Sequence, residues 1–196
     1  MFTQSLFAAL IVTLTVWRFV TATNEGLANF SPLMALAFCG AVYFRAGRTW
    51  LIPFAVLVVS ESLLNSHYGF GWNTSAFIVK LACFAIALIF GLWVSRNRTW
   101  FTILGGCLAS SCIFFLCTNS LCWLQEPGYA KTLPGWWQCM TTGLPGFPPT
   151  WFFFRNSLLS DLIFTGIFAV VLESVFASTG HPNLFPRHIK TRISSS

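Results

Sequence analysis

The sequence predicts an all-α, polytopic membrane protein: a bundle of about six transmembrane helices with both termini on the cytoplasmic side. Three observations predict it. Only 8% of the 196 residues are charged while 56% are hydrophobic, a charged share about a third of that of an average soluble domain. The apolar residues fall into six runs, at 2–20, 32–44, 50–68, 75–94, 100–124 and 151–176, and a bilayer core of ~30 Å takes about 20 helical residues to cross. Finally, Arg and Lys gather in alternate connections, as the positive-inside rule requires of cytoplasmic loops.

Taken in order, the first run has a cleavage-like Val20-Thr21-Ala22, but no Lys or Arg precedes it, so it reads as a retained helix and not a signal peptide. The second is short, and Ser31 before Pro32 marks its start as N-cap and first helical residue. It should lie against its neighbours. Arg45 and Arg48 follow the second run, Arg96 and Arg98 the fourth, and Arg187, Lys190 and Arg192 the sixth. The opposite connections hold only Glu25, Glu126 and Lys131, which places both termini in the cytoplasm. Residues 1–180 therefore form a single transmembrane helical domain, and 181–196 a polar, basic cytoplasmic tail.

The one long connection, 125–150, carries Pro127, Pro134, Pro145, Pro148 and Pro149 with Trp136 and Trp137. Proline excludes a further span there, and the tryptophans suit either the bilayer interface or a lid over an external cavity. Small residues recur four apart at Ala37 and Ala41, Ala87 and Gly91, Gly105 and Ala109, and Gly106 and Ser110, a pattern of close helix packing.

An ionisable side chain in the bilayer is costly and so marks a candidate site. Arg18, Glu61, Lys80, Arg155 and Asp161 fall in the outer half of four spans. Asn65, Thr118, Asn119, Ser157 and Thr165 add polar groups at similar depth. Two readings stay open: the wall of a polar cavity, or ion pairs that only hold helices together. Glu173, near the cytoplasmic end of the last span, should pair with the basic loops. Cys107, Cys112, Cys117 and Cys122 recur every five residues; about 500° of helical rotation between neighbours keeps them from one metal, so they read as packing residues. Cys122 and Cys139 on the outer side are either free or disulfide-bonded. No nucleotide-binding loop, nucleophile elbow or metalloprotease helix is present, and the basic residues form no stripe for nucleic acid. Neither catalysis, metal nor cofactor is expected.

Four segments, Asn29-Phe30-Ser31-Pro32, Ser60-Glu61-Ser62, Thr118-Asn119, and the stretch from Phe153-Phe154-Arg155 through Asn156-Ser157 to Ser160-Asp161, together resemble an uncharacterised bacterial family of small six-span membrane proteins. That family is similar to the substrate-binding S components of energy-coupling factor (ECF) vitamin transporters. The resemblance covers most of 29–173. It implies a bacterial cytoplasmic-membrane location, a vitamin-sized ligand held toward the outside, and ECF-type transmembrane and ATPase subunits as partners. On this view Glu61, Asn65, Lys80, Asn119, Trp136, Trp137, Arg155 and Asp161 surround the ligand. Ala37 and Ala41 match the small-residue face that S components turn to a partner. The other class of function is a structural or assembly subunit of a larger membrane complex with no ligand of its own.

Overall fold

The structure, a computed structural model, describes residues 2–44 and 50–185. Among these it contains seven α-helices and no strand: α1 (Phe2–Ala22), α2 (Leu33–Tyr43), α3 (Leu51–Tyr68), α4 (Thr74–Val94), α5 (Trp100–Gln125), α6 (Leu133–Met140) and α7 (Thr150–Ser178). Local chemistry sets several ends. Asn73 caps α4 by accepting from the Ala76 N–H, and Thr99 and Thr102 close a capping box on α5. Gly69, at φ +67°, stops α3 in the left-handed conformation that glycine adopts at little cost.

The polarity of the molecule is reversed relative to a soluble domain. Ser60, Ser110, Ser111, Asn156, Ser160, Asp161, Thr165 and Glu173 are buried, while Val12, Ile78, Ile89, Trp93, Phe101 and Ile167 are exposed. Water would penalise such a surface. Helices α4, α5 and α7 are each long and apolar enough to cross a membrane, which fits a membrane protein. The long loop contains no span but does hold the two-turn α6, capped by Thr132 and with Pro134 in its first turn.

Helix α2 is the hub. Nine of its 11 residues are buried, and it contributes to both apolar clusters. One cluster joins Leu33, Met34 and Ala37 to Val56 and Leu57 of α3 and to Phe84 of α4. The other joins Phe38, Cys39 and Val42 to Ile103 and Cys107 of α5 and Ala169 of α7. At roughly 16 Å, α2 is about half as long as the hydrocarbon core is thick. It also approaches α4 closely, where a Cβ on Gly91 would lie 2.5 Å from the Phe38 carbonyl oxygen and 2.7 Å from the Ala41 Cβ. Only glycine permits that contact.

Two sequence expectations change here. Ser31 does not cap α2: Pro32 is the N-cap, with no side-chain hydrogen bond, and its carbonyl accepts the Leu36 N–H at 2.8 Å. The Ser31 carbonyl oxygen instead takes the Ser160 hydroxyl of α7 at 2.8 Å. Nor do Ala37 and Ala41 form a face for another chain, since both are 0% exposed and belong to the packed interior. Of the basic residues on which the orientation rests, Arg45, Arg48, Arg187, Lys190 and Arg192 lie outside the described residues.

Candidate functional site

Four hydrogen bonds tie one end of the bundle around the connection from α1 to α2. The buried Asn156 amide donates to the carbonyls of Gly26 and Ala28, both at 3.1 Å. Ser160 holds Ser31 as above, and the Trp17 indole donates to the Phe30 carbonyl at 3.2 Å. Within this strap Asn29 stands at φ +66°, a left-handed conformation that asparagine tolerates better than other non-glycine residues.

Beneath the strap lies a partly enclosed cavity of about 80 Å³. Arg18 and Thr21 of α1, Asn29 and Ser31 of the strap, and Ser157 and Asp161 of α7 supply its polar lining. Leu33, Met34, Phe84 and Phe114 supply apolar wall. Mostly apolar walls with a few placed polar groups are the usual make-up of a small-molecule site.

Arg18 is fixed from behind. Its Nη1 donates to the Ser60 hydroxyl at 2.6 Å and its Nη2 to Glu61 at 3.1 Å, while Lys80 bonds the other Glu61 oxygen. Ser60 is held in turn by the Val56 carbonyl. Asp161 accepts the Ser111 hydroxyl of α5 at 2.7 Å and is reached by the backbone N–H of Ala35. The carboxylate thus stands near the first turn of α2, where the helix dipole favours negative charge.

The residues expected to surround a ligand do not all meet here. Asp161 lines the cavity, and Glu61 and Lys80 reach it only through Arg18. Arg155 is exposed, stacked on the Phe152 ring at 3.9 Å and bonded to the Asn156 side chain at 3.2 Å. Asn65 and Asn119 are half-buried and outside the lining, the latter bonding the Phe115 carbonyl at 2.9 Å. Trp136 fastens α6 to α5 through the Ser120 hydroxyl at 2.9 Å, and Trp137 is 63% exposed. Conversely, Ser111, Ser60 and the strap residue Asn29 are site or support residues that charge depth alone does not single out. Cys122 and Cys139 are free thiols.

A larger groove of about 520 Å³ between α4 and α5, lined by Ile89, Phe90, Trp93, Gly105, Gly106 and Ala109, has no charged group. At the far end of the bundle, Glu173 pairs with Arg98 at 2.8 Å, as expected of a basic loop, and accepts the Leu184 N–H at 2.8 Å. Among the described residues no three His, Cys, Asp or Glu side chains gather as metal ligands would.

The model of a family described as a family of unknown function (DUF6580) matches residues 2–183. No curated protein matches the chain, and no solved structure does.

Proposed function

We propose, on the premise that the chain belongs to this family of unknown function and so takes no role from it, that the protein is a membrane-embedded solute-binding subunit. It would serve uptake in the manner of an ECF S component, in a bacterial cytoplasmic membrane. The observation that carries this reading is the cavity beneath the strap, with Arg18 and Asp161 both on its lining. Six crossings, by α1 to α5 and α7, with both termini in the cytoplasm, would turn this end outward. Thiol labelling tests that orientation: in a cysteine-free background Asn97→Cys should resist an impermeant reagent in intact cells and Thr132→Cys should react. The reverse pattern turns the cavity to the cytoplasm.

A cavity of about 80 Å³ is small for a vitamin, since drug-sized ligands occupy sites of roughly 300 Å³ or more. A solute of that size requires the strap to move outward, against the Asn156 and Ser160 hydrogen bonds. The chain has no nucleotide-binding motif, so concentrative uptake draws on ATPase partners or an ion gradient.

A second reading, a structural or assembly subunit, is favoured by one observation: Glu61 already engages both Arg18 and Lys80, as interhelical glue would. Purification of the full chain from native membranes, with mass spectrometry of bound small molecules and of companions, separates the two. A retained solute with ATPase subunits supports uptake. Stoichiometric recovery in an unrelated assembly with no solute overturns it.

A further inference from the structure

The charges at the cavity do not balance pair by pair. Glu61 is shared by Arg18 and Lys80, so this trio keeps one positive charge in excess. Asp161 is 2% exposed, and no cation stands within ion-pair distance of it among the described residues. One surplus cation and one carboxyl group without a cation therefore line the same space. Both have bonding capacity left. Arg18 uses Nη1 on Ser60 and Nη2 on Glu61, which leaves about three of its five N–H groups. Asp161 accepts from the Ser111 hydroxyl and has room for more. A further polar atom on the lining, the buried Ser31 hydroxyl oxygen, has no hydrogen-bond partner.

Size narrows the occupant. A cavity of about 150 Å³ takes a benzene ring, so one of about 80 Å³ suits a solute of roughly three to five non-hydrogen atoms. We propose that it binds a small zwitterion of the α-amino-acid type, with the carboxylate at Arg18 and the ammonium at Asp161 and Ser31. A simple anion satisfies Arg18 but adds charge beside Asp161, and a simple amine does the opposite. Either imbalance costs more in a low-dielectric site than in water. This inference rests on the solute-binding reading and names its substrate class.

Equilibrium binding of radiolabelled glycine to the full-length protein in lipid nanodiscs tests it, with acetate and methylamine as competitors that each carry one half of the charge pattern. Glycine should bind saturably, and each competitor should be at least tenfold weaker. Asp161→Asn should weaken glycine tenfold or more and bring acetate level with it. Ser157→Val, which fills the cavity from α7 without touching either charge, should abolish glycine binding while the protein melts as wild type does; this variant keeps the test alive if Asp161→Asn does not fold. Acetate or methylamine binding as tightly as glycine overturns the zwitterion assignment. So does binding of a vitamin-sized solute in place of glycine, an outcome that leaves the solute-binding reading standing. If neither glycine nor any solute from a broad panel binds, both fall.

Discussion

Two charge groups lie at opposite ends of this bundle and are built on different plans. At one end a single cation meets a single anion: Arg98 pairs with Glu173, its guanidinium lies 5.1 Å from both the Tyr43 and Phe176 rings, and it also bonds the Pro182 carbonyl. At the other end two cations share Glu61, and Asp161 has only the Ser111 hydroxyl as a hydrogen-bond donor. Helix packing in lipid demands the first arrangement, because unpaired charge there is costly. It does not demand the second. On our reading the contrast separates charge that holds helices from charge kept for a solute.

The comparison can be broken hardest at the paired end. Arg98→Ala leaves Glu173, 0% exposed, without its cation, and removing one partner of a buried pair costs about 3–5 kcal/mol. Unfolding of the solubilised protein should show that loss, and wild-type stability would mean that the pair holds nothing. Glu61→Gln comes next, since it leaves Arg18 and Lys80 adjacent with no carboxylate between them. Both side chains retain some exposure, 17% and 23%, so water screens part of the repulsion and the loss should be about 1–2 kcal/mol. Lys80→Gln, which keeps the Arg18 pair, should cost less; an equal cost would make Lys80 the dominant partner.

Asn156→Ala removes two hydrogen bonds from the strap and should cost about 1 kcal/mol, with faster proteolysis at 23–30 as the local readout. Unchanged proteolysis would show that the strap is held by its aromatic contacts instead. Asp161→Asn sharpens the contrast with the smallest effect on stability, under about 1 kcal/mol, because an amide oxygen still accepts from Ser111. A loss of several kcal/mol would place Asp161 with the structural charges.

Much of the helical layout is legible in the sequence, because apolar runs and caps are local signals. The 100–124 run differs by one residue from Trp100–Gln125, and the Thr99 cap stands beside it. The site is less legible. Depth along the chain puts Arg155 beside Asp161, but six residues turn a helix by about 600°, and Arg155 emerges on the exposed face. Ser157, four residues from Asp161, keeps the same side and lines the cavity. Ser111 is one of many hydroxyls in apolar helices, and only the packing of α5 on α7 makes it the partner of Asp161. Likewise Ala37 and Ala41 carry a small-residue signal that fits an internal and an external contact equally well, and the partner helix α4 decides it.

The hold that α7 keeps on the strap also bears on how the chain is made. Ser31 and Ser160 are 129 residues apart, and the Asn156 contacts to Ala28 and Gly26 span 128 and 130. At cellular rates of about 5–20 residues per second, roughly ten seconds of synthesis separate the two sides of each contact. For that interval the strap has no hydroxyl or amide from α7 to satisfy it, and the short α2 lacks the packing against α7 that it has in the finished bundle. A nascent chain stalled before residue 150 should therefore be cut readily at 23–32 and become resistant once α7 has emerged. The central helix of the finished protein is the one whose placement in the membrane must wait for the last.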